Sequence, residues 1–207
     1  ADVAASSNAT GSAALGGDWD LEVARGLVDQ PLALSSEAVA VYAGLLADAA
    51  PTVTMNTSGS DVLLGDQVSL VLNFTNTSTQ VGFAPFVDLF MPVTGKDGDD
   101  GVSFVSASYL GEALDATVVT FDAAGNAIHP YARDTSGNPV VVSAASVGMR
   151  AGDQMVVIAL PYGSVANDQP TISINVTARL SELADTHFSR GSPNLAIAAR
   201  GGFQFGN

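Results

Sequence analysis

The pattern of apolar and polar positions changes character once along this chain, at Pro51. Before it, Trp19, Leu21 and Val23 alternate and predict a short strand. Ser35 or Ser36 can then cap a helix from about Glu37 to Ala47. Its apolar face would hold Leu34, Val39, Val41, Tyr42, Leu45 and Leu46, and Pro51 closes the segment. After Pro51, alternation with period two takes over. "TVTMNT", "QVSLVLNFTNT", "PFVDLFMPV", "VSFVSASYL", "ATVVTFD", "AIHPYA", "PVVVSA", "QMVVIALPY", "TISINVTARL" and "NLAIAARGGFQF" all read as strands. Gly, Asp, Asn and Pro separate them, and no strand–helix alternation argues for a parallel sheet. This spacing predicts an all-β fold, an antiparallel β-sandwich with Greek-key connections and one short helix near the N-terminus.

The same pattern sets the expected organisation. Residues 1–17, small, polar and glycine-bearing, read as a flexible lead-in. Residues 18–50 read as a strand plus helix packing on the main domain, and 51–207 as the sandwich.

Composition adds a core and an acidic surface. Apolar residues make up 47% of the 207 and charged residues only 14%, which excludes general disorder. Lys and Arg total 7 against 21 Asp and Glu, a formal charge of -14. Such a surface repels phosphate backbones and anionic lipid, so nucleic acid and direct membrane insertion are not expected. It suits divalent cations, cationic partners and salty or calcium-rich water. Cysteine is absent, which excludes thiolate metal sites and thiol catalysis and leaves stability to core, metal or neighbouring modules. No apolar run has the length of a transmembrane helix. A start at Ala1 without a signal peptide fits a processed chain or an excised fragment.

The densest chemical signal is "TGKDGDDGVSF". Asp97, Asp99 and Asp100 crowd carboxylates that a cation would relieve, and Gly98 and Gly101 permit a sharp turn. Calcium is therefore the expected metal, against the alternative of a solvated acidic tip with Lys96 taking part of the charge. The run is no EF-hand, lacking the closing Glu and flanking helices. Upstream, Asp88 shares a strand face with Phe86 and Phe90, while Val87, Leu89 and Met91 face the other way. It must be outward-facing or paired, because an unpaired buried charge is very unfavourable. "FDAAGNA" and "RDTSGNP" repeat an Asp-x-x-Gly-Asn turn, in which Asp122 and Asp134 accept hydrogen bonds from their own loops rather than bind metal.

No catalytic constellation emerges. His129 and His187 belong to no zinc-ligand spacing and read as turn or half-buried structural residues. Ser164 and Ser192 lack the nucleophile elbow, no glycine pattern fits a phosphate loop, and no carboxylate pair stands out. The chain is expected not to be an enzyme. Sequons at Asn8, Asn56, Asn73, Asn76 and Asn175 read as Asn and Thr richness on exposed strand positions. Tyr109, Tyr131 and Tyr162 are candidate stacking platforms for a ligand, with core or sheet-edge packing as the alternative.

From Pro51 the stretch "VLLGDQVSLVLNFTNTSTQVGFAPFVDLFMPV" resembles the Ig-like repeat modules of large bacterial cell-surface proteins. Gly65 and Asp66 before an alternating strand, Asn76 and Thr77 at its end, and Met91–Pro92 closing the next strand carry the likeness. "DGVSFVSASYLG", "GDQMVVIALPYGSVANDQP" and "ARGGFQFG" look like longer surface modules of very large secreted proteins, including calcium-binding adhesins of the repeats-in-toxin type. The insert from Gly95 to Gly101, the added hairpins and the segment before Pro51 depart from a compact repeat. The resemblance implies an Ig-like sandwich at the bacterial cell surface or in the medium, with a structural or adhesive role. Its partners would be neighbouring modules of a longer chain or copies of itself, with a glycan or surface protein as target. A carbohydrate- or protein-binding module and a filament or surface-layer subunit are the alternatives.

Overall fold

The computed structural model describes residues 3–5, 10–15, 18–20, 23–25, 35–41, 49–58, 62–98, 100–133, 138–184 and 195–205. In the N-terminal segment β1 (Val3–Ala5) pairs antiparallel with β2 (Val23–Arg25). The strand expected over Trp19–Val23 thus begins at Val23, and its partner lies inside the stretch read as a lead-in. Three-residue strands are too short for alternation to fix their register. The helix α1 (Ser36–Val41) is capped by Ser35, whose Oγ accepts the Ala38 N–H at 3.2 Å. None of its residues is buried, Val39 is half-buried and Val41 is 80% exposed. Tyr42, Leu45 and Leu46 lie outside the described residues.

From Pro51 every segment predicted as a strand becomes one. In order these are β3 (Pro51–Ser58), β4 (Gln67–Asn76), β5 (Gly82–Met91) and β6 (Val102–Tyr109). The short β7 (Glu112–Ala113) precedes β8 (Ala116–Thr120), β9 (Asn126–Arg133) and β10 (Pro139–Ser143). Last come β11 (Gln154–Ala159), the two-residue β12 (Ser164–Val165), β13 (Ile172–Leu180) and β14 (Ala198–Phe205).

Two five-stranded antiparallel sheets face each other. The first has the order β3-β4-β13-β6-β7, so β13 returns from far along the chain to lie between β4 and β6. In the second, β5 is flanked by β14 on one side and by β11 on the other, and β8 pairs with the far edge of β11. β12 pairs with the start of β5 after a short detour of the chain beyond β11. Inward-facing Leu70, Leu72, Phe74, Ile172, Ile174 and Val176 of the first sheet meet Val87, Leu89, Met91, Val156, Ile158 and Phe203 of the second. Each large apolar side chain so enclosed contributes about 1.5–3 kcal/mol.

β4 shows the burial period of two that its sequence predicts, but β5 does not. Phe86 through Met91 are all buried, because both faces of β5 are covered. Its outer face lies under the hairpin of β9 and β10, whose Ala127 and Val142 join Phe121, Ala144 and Met149 over Phe86, Phe90, Met155 and Val157. The domain therefore has a third, partial layer.

That layer and the sandwich both depend on a glycine pair in β14. A Cβ on Gly202, directly opposite Phe86, would run into the Phe86 ring, with Cε2 2.6 Å away. A Cβ on Gly201, on the sandwich side, would stand 3.0 Å from Phe74, Pro51 and Val53. Gly202→Ala is expected to lower unfolding free energy by about 1–3 kcal/mol in urea denaturation. Gly163→Ala, with nothing within 4 Å of its Cβ position, should change it by less than about 0.5 kcal/mol.

Candidate functional site

The outer face of β5 carries a buried ionic cluster. Asp88 is 1% exposed, and its Oδ2 accepts a hydrogen bond from Arg200 Nε at 2.8 Å, its cross-strand neighbour on β14. Oδ1 lies 2.8 Å from Nε2 of His129, which descends from the covering strand β9. The other ring nitrogen, Nδ1, accepts the backbone N–H groups of Tyr131 at 3.0 Å and Ala132 at 2.7 Å. An acceptor of two N–H bonds carries no proton, so the ring is the neutral tautomer donating from Nε2. Arg200 supplies the counter-charge, and its guanidinium lies 5.2 Å from the Phe90 ring centroid. Both histidine nitrogens are committed, and the ring is 1% exposed. The sequence expectation of a turn or half-buried His129 is corrected: the residue is fully buried and joins two layers. Asp88 is the paired alternative of the two expected for it. His187 lies outside the described residues.

Beside this cluster a cleft of about 160 Å³ opens, lined by Ala84, Pro85, Phe86, Tyr131, Ala159, Leu160, Tyr162 and Gln204. Two of the three tyrosines singled out from sequence line it. The third, Tyr109 on β6, meets Tyr162 hydroxyl to hydroxyl at 2.5 Å, with the rings edge-on and 5.8 Å apart. That contact joins the two sheets. All three tyrosines are half-buried and pack against one or other core. The pKa of Tyr162 is raised above the ordinary 10.0, first by the hydrogen bond to Tyr109, then by burial, then by repulsion between the two phenolates. Ala84 is held at φ 48°, an uncommon conformation for a residue with a side chain, by its N–H bond to the Gly163 carbonyl at 2.9 Å.

The acidic loop crosses from β5 to β6 at one end of the sandwich. Its neck is closed by Gly101 N–H to Val93 O and Val102 N–H to Pro92 O, each 3.1 Å. Asp100 turns inward, 3% exposed, and its Oδ1 accepts the Asp97 N–H at 3.0 Å. The Asp97 side chain is exposed, and Asp99 lies outside the described residues. Among the described residues no group of three His, Asp or Glu is placed to hold a metal. The residue that sequence reasoning missed is Asp153, 3% exposed, which accepts from Thr94 N–H, Thr94 Oγ1 and Arg150 N–H at 2.7–2.9 Å. It stitches the acidic loop to the turn before β11. A signal for it existed, because Gly152-Asp153-Gln154 repeats Gly65-Asp66-Gln67. Both glycines have φ above 80°, and both aspartates close the turn with an N–H bond of 3.1 Å three residues back.

Two smaller readings divide. Asp122 Oδ1 accepts the N–H groups of Ala124 and Asn126, each at 2.9 Å, as its turn reading requires, whereas Asp134 lies outside the described residues. Asn76 is not on an exposed strand position. It is 2% exposed, and its amide bonds the carbonyls of Gln80 and Val165. Ser164 is exposed on β12, and Ser192 lies outside the described residues. No described helix is long and apolar enough to cross a membrane.

Comparison with known proteins places one match. A family model described as a domain of unknown function (DUF4347) matches residues 1–46, upstream of the sandwich that starts at Pro51. No curated protein matched the chain significantly.

Asp88→Ala strands the His129 donor and removes the partner of Arg200, and is expected to destabilise by about 3–5 kcal/mol. Arg179→Ala, which breaks the exposed pair with Glu182, should cost no more than about 1 kcal/mol in the same denaturant titration. Tyr109→Phe should bring the Tyr162 titration, followed by phenolate absorbance, back down toward the ordinary value. Because the folded-state pKa of Tyr162 is raised, its stabilisation is complete below the ordinary tyrosine range and is lost as pH climbs through the raised value.

Proposed function

We propose that the chain is a non-enzymatic structural or adhesive module of a bacterial surface or secreted protein, rigidified by calcium at the loop end of its sandwich. The observation that carries this reading is the use of the buried polar residues. Asn76, Asp88, Asp100, His129 and Asp153 each hold a turn, a loop or a layer in place, and no buried polar side-chain atom lacks a partner among the described residues. Catalysis needs a nucleophile, base or acid with a free atom facing a cleft. Here the buried histidine has none to offer, which favours a scaffold. The extracellular setting draws on the likeness to Ig-like surface repeats and on the charge of -14. Calcium draws on Asp97, Asp99 and Asp100 around Gly98, whose φ is 114°.

A second reading, a carbohydrate- or protein-binding module, is favoured by one observation, the cleft that Tyr131 and Tyr162 share.

The calcium element is tested by melting the protein in calcium and in chelator. A melting temperature about 5–10 °C higher is expected at a hundredfold excess over Kd, since only the folded state holds the full ligand set. The double substitution Asp97→Ala, Asp99→Ala should erase the difference. Identical melting of the unaltered chain in both conditions removes calcium from the reading. Turnover in a broad panel of hydrolase and transferase substrates would overturn the non-enzymatic role.

A further inference from the structure

We propose that the cleft between Tyr131 and Tyr162 is a binding subsite for one neutral sugar ring, which makes the adhesive role proposed above, on which it rests, specific to glycans. The chain carries -14, yet no residue lining this cleft bears a charge. An anion finds no cation there, and an ammonium group finds no carboxylate. Asp88, the nearest in sequence to the cleft's Phe86, is buried and already paired with Arg200 and His129.

What the cleft does present is a mixture. The half-buried Tyr131 and Tyr162 offer ring surface beside the buried Phe86, and the phenol hydroxyls and the Gln204 carboxamide are the hydrogen-bonding side-chain groups of the lining residues. A pyranose has the matching halves, a C–H face for the rings and hydroxyls around its edge. At about 160 Å³ the space is well below the ~300–1,000 Å³ of sites for drug-sized ligands, so it receives a single ring. A proline-rich peptide, which also uses aromatic grooves, needs an extended surface for successive residues.

The aromatic groups are also held in advance. Tyr162 is fixed by its hydroxyl bond to Tyr109, and its oxygen keeps a lone pair with which to accept from a ligand hydroxyl. The Tyr131 ring lies 6.2 Å from Phe86 and 6.3 Å from His129, and its N–H is anchored on His129 Nδ1. His129 is therefore a positioning residue for the cleft, and the buried cluster sets the height of its wall. Ala84, held at φ 48°, brings the backbone to the cleft at the point where the chain detours between β11 and β12. Pre-fixed rings lose little entropy on binding, which is what a weak, single-ring ligand requires.

The test uses the whole chain on an array of neutral and acidic glycans, followed by calorimetry with the methyl glycosides of the hits. The unaltered protein should bind neutral hexose or pentose termini and not sialylated or sulfated ones. Gln204→Ala at the rim should weaken binding roughly three- to tenfold, and Tyr131→Ala by at least about tenfold, with melting curves confirming that each variant is folded. Should Tyr131→Ala fail to fold, Gln204→Ala and Tyr162→Phe carry the test. Neutral-sugar binding that survives Gln204→Ala and Tyr162→Phe unchanged overturns the subsite and leaves adhesion to another surface. Binding only to acidic glycans or only to peptides overturns it as well. If the folded chain binds no glycan, the subsite falls, while the module reading is judged separately by calcium-dependent melting and absence of turnover.

Discussion

Asp88 stands on a strand buried on both faces, and its carboxylate must be neutralised before the third layer can close over it. Two partners from opposite directions do this, Arg200 from the neighbouring strand and His129 from the hairpin above. Leaving either out would strand a charge or a donor in an apolar enclosure. The cluster thus couples three elements: the central strand β5, the strand β14 beside it, and the hairpin of β9 and β10. Because His129 also anchors the Tyr131 and Ala132 N–H groups, the direction in which β9 leaves the cluster is set by the same contact.

The second sheet carries load in both directions. Its inner face completes the sandwich core, and its outer face supports a smaller apolar cluster with the ionic group at its centre. Such a sheet tolerates little irregularity, and two local ones stand out among its described residues. At β14 two adjacent glycines let the Phe86 and Phe74 rings settle against bare backbone. At the start of β5, Ala84 bends to meet the detour between β11 and β12. One irregularity lets the layers touch and the other leaves a gap between them, lined by tyrosines.

Strand identity was legible because alternation is local. Ten apolar segments between turn residues name ten of the twelve described strands after Pro51, missing the two-residue β7 and β12, but do not order them, since β13 reaches its place between β4 and β6 through pairings with residues far back in the chain. The face shared by Phe86, Asp88 and Phe90 was legible too, but what covers it was not. His129 is 41 residues from Asp88, and nothing in "AIHPYA" tells a covering strand from an exposed one. Asp153 was hidden for a similar reason. Its turn resembles that of Asp66, and only the loop folded over it distinguishes the buried carboxylate from the exposed one. Of the three acidic-loop aspartates, density of charge revealed the loop but not that Asp100 turns inward. The tyrosines were found by residue type, and their convergence depends on the detour after β11.

The pairing of β14 with β5 also fixes the order in which the fold can be completed. The Asp88–Arg200 contact spans 112 residues, and β14 is the last strand described. During synthesis from the N-terminal end, β5 emerges long before its cation and before the glycines that accept its aromatic rings. Until then Asp88 has no counter-charge and the apolar edge of β5 lacks its cover. Closure of such a distant loop is slow compared with local hairpins. The second sheet is therefore completed late, and the neutral, covered state of β5 arrives only with the last strand described.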